Sequence, residues 1–195
     1  GGADGAVRLW DTRGGQAMLL DERTRHSGWV WAVGFSPDGN LAGSVGQGRT
    51  DNTRWWRINS ISRTLETVEA PGAHASTVTS LAFSPDGRSA FSGDINGLLL
   101  RWDTTTFSTT AVETETLAEA GTLWGLDTQA GWLATTSSSG LVRVWSLDSA
   151  GHALGPARVL DGHRDGSLRV AFLPRAAGDQ PLLLVSGGLD RLALV

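Results

Sequence analysis

The sequence predicts an all-β protein assembled from repeated antiparallel sheets of short strands. Three observations carry this. The stretch from His74 to Asp103 holds an apolar run (Val78, Leu81, Phe83), a Ser84-Pro85-Asp86-Gly87 turn and a second run ending in Ser92-Gly93. A turn at Asn96-Gly97 follows, then Leu98 to Leu100, closed by Trp102-Asp103. Three short strands of this kind cannot bury their own apolar face and need neighbours of the same kind. The closing tryptophan recurs as Trp10, Trp56, Trp102 and Trp145, spaced 46, 46 and 43 residues apart. Two further landmarks keep that phase: Asp4, Asn96, Ser139 and Asp190 at the turn position, and His26, His74, Glu119 and His163 at the opening position.

Taken in order, residues 1–25 read as the end of a repeat, with a third strand from Ala6 to Trp10 and a fourth from Gln16 to Leu20. The next repeat spans 26–73. Its first strand, Trp29 to Phe35, leads into Ser36-Pro37-Asp38-Gly39, where proline fixes φ and glycine accepts the conformation that restarts the chain. Its second turn, Gly46 to Asn52, is longer and places Asp51 five rather than six residues before Trp56, which predicts a distorted turn or bulge. Ser62 to Val68 supply its fourth strand. The repeat 74–118 ends in an outer strand around Thr109 to Thr114. In 119–162 the landmarks are eroded: Glu119 replaces histidine, Thr128 to Gly131 replace the proline turn, and Leu141 to Trp145 remain a good strand. The last repeat, 163–195, has a stretched first hairpin from Leu173 to Pro181 and a second strand from Leu182 to Ser186.

These motifs, recurring in order and in phase, resemble WD40 repeats over essentially the whole chain. The resemblance implies β-propeller blades of four-stranded antiparallel sheets, about four blade-equivalents: a partial one, three full ones and another partial one. Asp4 and Asp190 lie 186 positions apart, four periods of about 46.5, so the third strand is represented at both ends. The expectation is a segment of a longer propeller, with neighbouring blades supplied by a longer chain or by another copy.

Composition narrows the classes. A chain of 195 residues with 40% apolar content can form a substantial core. No apolar run approaches the roughly 18 residues of a membrane span, and no basic-plus-apolar leader is seen, so no membrane partner and a cytoplasmic location are expected. The net charge of −4 argues against a nucleic-acid groove. Without cysteine there are no disulfides and no thiolate metal sites; four unclustered histidines give no metal site either, and no cofactor is expected. All 16 basic residues are arginine, a bias that points to a high-GC bacterial genome. The glycine-rich segment Gly43 to Gly48 lacks the Lys-Ser/Thr ending of a phosphate loop and reads as strand and turn.

The resemblance also implies a structural polar set in each blade: a histidine before the first strand, a serine in the second, an aspartate in the following turn and the closing tryptophan. Here these are His26, Ser44, Asp51 and Trp56; His74, Ser92, Asn96 and Trp102; and His163, Ser186 and Asp190. Because the set recurs once per repeat, it reads as a structural device, and no catalytic residues and no enzyme are expected. Rim positions implied by the same resemblance include Trp29, Trp31, Thr77, Thr79, Ile95, Trp124 and Leu168. Tryptophan is favoured at binding hot spots, so at least two of the three tryptophans are expected on one rim against a protein or peptide. The implied function is a non-catalytic protein–protein interaction scaffold, the sensor or assembly part of a larger signalling protein. Alternatives are a propeller enzyme, which needs converging ionisable groups in its channel, and a lectin-like ligand-binding propeller, which needs matched aromatic pockets in every blade.

Overall fold

Short apolar runs punctuated by tight turns leave the chain one economical way to satisfy its backbone, which is to pair each run with the next. The computed structural model describes residues 1–112, 121–129, 131–173 and 183–195, and among these it contains strands, turns and no helix. The first sheet has two strands, β1 (Ala6–Asp11) and β2 (Met18–Thr24). The second has four: β3 (Val30–Phe35), β4 (Leu41–Gly46), β5 (Thr53–Asn59) and β6 (Thr64–Val68). The third contains β7 (Val78–Phe83), β8 (Ser89–Asp94), β9 (Leu99–Asp103) and β10 (Thr109–Ala111). The fourth contains β11 (Leu123–Gln129), β12 (Trp132–Ser137), β13 (Val142–Ser146) and β14 (Arg158–Leu160). The last has β15 (Ser167–Phe172), β16 (Leu184–Gly188) and β17 (Ala193–Leu194). Every sheet is an antiparallel meander in chain order, as expected of propeller blades.

Successive sheets pack face to face, and each interface holds one apolar cluster. Val7, Ala42, Trp56 and Leu65 join the first sheet to the second. Leu41, Trp55, Phe83, Trp102 and Phe107 join the second to the third, with the Trp55 and Trp102 ring centroids 5.3 Å apart. Phe91, Leu99, Leu123, Leu133 and Trp145 join the third to the fourth, and Val142, Val144, Val170 and Phe172 join the fourth to the last. The tandem tryptophans of β5 thus face opposite ways, as the period of two in a strand requires, and each fills a different interface. Where a sheet is short of strands its apolar residues stay bare. Trp10 of the two-stranded sheet is 50% exposed, whereas Trp56, Trp102 and Trp145 are fully buried.

The two Ser-Pro-Asp-Gly turns form as the tetrapeptide dictates. Ser36 Oγ donates to Asp38 Oδ1 and accepts from the Leu41 amide; Ser84 Oγ repeats this with Asp86 and the Ser89 amide. Gly39 and Gly87 both adopt φ of 72°, a conformation that suits glycine. Several expected boundaries move. The fourth strand expected from Gln16 to Leu20 runs instead from Met18 to Thr24, because β1 continues to Asp11 and pairs that far along. Thr128 and Gln129 lie in β11 rather than in a turn, paired with Leu133 and Trp132. The expected strand from Leu182 to Ser186 runs from Leu184 to Gly188. Glu119 and most of the expected Leu173–Pro181 hairpin lie outside the described residues.

Candidate interaction site on the rim

Each first strand carries the same irregularity near its start. Register shifts fall between Val30 and Ala32, Val78 and Ser80, Leu123 and Gly125, and Ser167 and Arg169. The residues left over at these bulges are Trp31, Thr79, Trp124 and Leu168. A bulge bends its strand and re-aims a side chain. At two of the four positions that side chain is an indole.

Trp29 and Trp31 are exposed and Trp124 is half-buried. The Trp29 and Trp31 ring centroids lie 5.7 Å apart, and those of Trp31 and Trp124 lie 6.3 Å apart edge to face, so three indoles from the second and fourth sheets form one accessible aromatic group. Arg169 steadies one end by donating to the Trp124 carbonyl at 2.6 Å. Thr79, at the same bulge position in the intervening sheet, is only 5% exposed and turns its hydroxyl onto the carbonyls of Gly93 and Leu123. The expectation that Thr79 projects to a partner is therefore corrected: its short side chain finds backbone acceptors within reach and folds inward. Thr77 and Leu168 are half-buried and Ile95 is 40% exposed.

The polar sets lie beneath this rim. In the third sheet Trp102 Nε1 donates to Ser92 Oγ at 2.7 Å, and Ser92 Oγ meets His74 Nε2 at 2.7 Å. His74 Nδ1 meets Asp94 Oδ2 at 3.1 Å. The Asp94 carboxylate can only accept, so the imidazole proton sits on Nδ1 facing it, and Nε2 accepts from the Ser92 hydroxyl. Asp94 also accepts from Ser76 Oγ and from the amides of Asn96 and Leu98. Burial works to raise Asp94, but the hydrogen bonds from His74, Ser76 and Leu98 outweigh it and hold the carboxyl below its usual range.

Two sequence assignments are corrected here. The carboxylate of this set is Asp94, two residues after Ser92, and Asn96 contributes only a backbone amide to it. A carboxylate at the end of the strand reaches the imidazole directly, which leaves the turn position free. In the second sheet His26 Nε2 and Trp56 Nε1 meet Ser44 Oγ at 2.8 and 2.9 Å, but Asp51 does not join them. The distorted turn carries its carboxylate outward to the amide and hydroxyl of Ser27, at 2.6 and 3.1 Å. In the last sheet His163 Nε2 meets Ser186 Oγ at 2.9 Å, and Nδ1 meets Asp190 Oδ1 at 3.0 Å.

The order Ser92, His74, Asp94 has the connectivity of a nucleophile, a base and an orienting carboxylate. Its serine is fully buried and its oxygen already accepts the indole proton, so no substrate reaches it. Among the described residues no group of three or more His, Cys, Asp or Glu side chains is placed to hold a metal ion.

Sequence reasoning did not single out Arg49 and Arg54. Both line a wide, open depression beside Ser27 and Asp51, between the second and third sheets. The available signal was the anomalous turn itself, which holds Arg49 and ends just before Arg54.

Comparison with known proteins fits this architecture. Residues 19–53 and 63–103 match the family model of the WD domain, G-beta repeat. Each begins in or beside the last strand of one sheet and runs into the next sheet, so each matched stretch ties neighbouring sheets together. The chain is 29% identical to transducin beta-like protein 3 of Rattus norvegicus over 91% of its own length and 22% of that protein. It is 34% identical to the nuclear distribution protein PAC1-1 of Uncinocarpus reesii over 44% of its length and 18% of that protein. Similarity to the periodic tryptophan protein 2 homolog of Schizosaccharomyces pombe is 35% over half of the chain and 10% of that protein. The chain thus covers no more than 22% of any of these three relatives. All three come from eukaryotes, and the bacterial source expected from the arginine-only composition finds no support among them.

Proposed function

We propose that the chain is a non-catalytic interaction scaffold that presents Trp29, Trp31 and Trp124 to a protein or peptide partner, within a larger assembly or signalling protein. WD40 domains generally bind proteins or peptides, and the names of the relatives denote no enzyme. The observation that carries the reading is the accessible aromatic group at the bulges of β3 and β11. Rigid aromatic side chains supply large contact area at low entropic cost, and such anchors dominate interface energetics. The bulge positions Trp31, Thr79, Trp124 and Leu168 include no ionisable group, which speaks against a propeller enzyme. Their unlike side chains speak against the matched pockets of a lectin-like propeller.

Peptides selected from a random display library against the full chain test this. Trp31→Ala weakens the selected peptides at least tenfold, a loss of about 1.4 kcal/mol or more. Trp10→Ala, which removes an exposed tryptophan outside the group, leaves binding unchanged. Equal losses from both substitutions would mean that the peptides adhere to any bare indole and would sink the proposal.

A further inference from the structure

At the residue after each bulge the four first strands carry Ala32, Ser80, Gly125 and Arg169. All four line one recess of about 160 Å³ where β3, β7, β11 and β15 converge, with Trp124 on its wall. A recess of that size takes the end of one side chain and lies below the range of small-molecule clefts. Three of the four residues are small and leave the space; Arg169 is the one ionisable group among the described residues of the lining. Gly125 is what lets β15 come in. A Cβ there would stand 3.0 Å from the Leu168 carbonyl oxygen and 3.1 Å from Arg169 Cα, tighter than side chains pack.

That approach puts the Arg169 guanidinium against β11. Its Nη1 donates to the carbonyl of Trp124 at 2.6 Å and to that of Leu168 at 3.1 Å. Its Nε and Nη2 make no hydrogen bond among the described residues, and the guanidinium makes no ion pair there. These two nitrogens carry the parallel N–H bonds with which a guanidinium grips both oxygens of a carboxylate. The chain itself shows the mode at Arg13, whose Nε and Nη2 donate to the two oxygens of Asp11 at 2.9 and 2.7 Å. Arg169 is held by one nitrogen and open at the other two, so part of the ordering that binding requires is already in place. Three aromatic rings together also suit a quaternary ammonium, but such a cation sits between ring faces, each within ~6 Å of it. Here neighbouring indoles touch one another, with centroids 5.7 and 6.3 Å apart, which fills the space a caged cation would take. The charge that stands beside them is positive.

We propose that the partner segment presents an aspartate or glutamate side chain between apolar residues, its carboxylate gripped by Nε and Nη2 of Arg169 while the apolar neighbours cover Trp31 and Trp124. Arg169 thereby sets the charge specificity of the aromatic rim. This inference rests on the scaffold reading and adds to it the chemistry of the partner.

Degenerate peptide pools, amidated at the C terminus and titrated with the full chain by fluorescence anisotropy, test this. Each pool holds glutamate, glutamine, lysine or trimethyllysine at a fixed central position between degenerate apolar positions. The glutamate pool is expected to bind about fivefold tighter than the glutamine pool, the upper end for a solvent-accessible ion pair, and the margin shrinks as salt rises. Arg169→Gln removes the margin and leaves the glutamine pool unchanged. Arg169→Lys keeps the charge without the fork and retains only part of the margin. Trp31→Ala weakens both pools alike. Should Arg169→Gln alter the near-ultraviolet circular dichroism of the tryptophans, Arg169→Lys carries the test. Equal binding of the glutamate and glutamine pools overturns the inference and leaves the scaffold reading standing. Tighter binding of lysine or trimethyllysine overturns it in favour of a cationic segment. A glutamate margin that survives Arg169→Gln overturns the role of Arg169, and one that survives Arg169→Lys in full overturns the two-pronged grip. If only pools resynthesised with a free C terminus bind, the carboxylate is that of a chain end and the side-chain source is overturned. Binding by no pool at all sinks the scaffold reading itself.

Discussion

The repeat opened by His26 and the one opened by His74 carry the same Ser-Pro-Asp-Gly turn, the same strand serine and the same closing tryptophan, yet their polar interiors differ. In the second of these, indole, hydroxyl, imidazole and carboxylate form an unbroken chain from Trp102 to Asp94. In the first the chain stops at His26 Nδ1, and the carboxylate of Asp51 lies outside it on Ser27. The shared part depends on residues at fixed spacing along paired strands. The differing part depends on where a turn delivers one carboxylate. A turn lengthened by a few residues is enough to end the network at the imidazole and to carry the carboxylate of Asp51 out to Ser27.

The largest expected effect tests that difference directly. Asp94→Ala removes the acceptor for His74, Ser76 and two backbone amides in a site that is 2% exposed, and it destabilises by about 3 kcal/mol. Asp51→Ala, at a half-exposed carboxylate held by Ser27 alone, costs under about 1 kcal/mol. Denaturant unfolding of both variants measures the contrast, and similar losses would erase it. The shared part predicts equality instead. Ser44→Ala and Ser92→Ala each orphan one indole N–H and one imidazole nitrogen, and each costs about 1–3 kcal/mol, the two agreeing within about 0.5 kcal/mol.

The smallest effect is a pH dependence. The folded His26 imidazole titrates below its ordinary value of 6.5, so the unfolded chain takes up that proton first. The stability that comes from keeping it neutral is complete above about pH 6.5 and falls away as the pH drops through that value. Asp94 titrates below its ordinary 3.8, so its contribution is present above that pH and is lost only as the pH falls through the lower folded value. Between pH 7 and pH 5, amide protection, corrected for the slower intrinsic exchange at low pH, is therefore lost in β4 and β5 before β8 and β9, and His26→Gln abolishes the difference. Faster exchange in β8 first would reverse the assignment.

Much of the fold is legible in the sequence because its signals are local. A run of alternating apolar residues names a strand; Ser36-Pro37-Asp38-Gly39 names a turn whose hydrogen bonds close within five residues. The tryptophan period gives the sheets. The candidate site is less legible. That Trp31 and Trp124 approach each other follows from a bulge in each first strand and from the small Thr79 between them, and a register shift leaves no mark in the residues themselves. Asn96 occupied the expected phase, yet Asp94 supplied the carboxylate, because reach to an imidazole is set by distance in space and not by count along the chain.

The sequence by itself determined the strands, the two proline turns and the serine–tryptophan pairs, since each rests on neighbours fixed by strand geometry. The tertiary structure alone decided two things: which carboxylate meets which histidine, and which of four equivalent bulge residues stays at the surface. Each of these depends on groups brought together from separate strands and turns, and their separation is fixed only when the sheets pack.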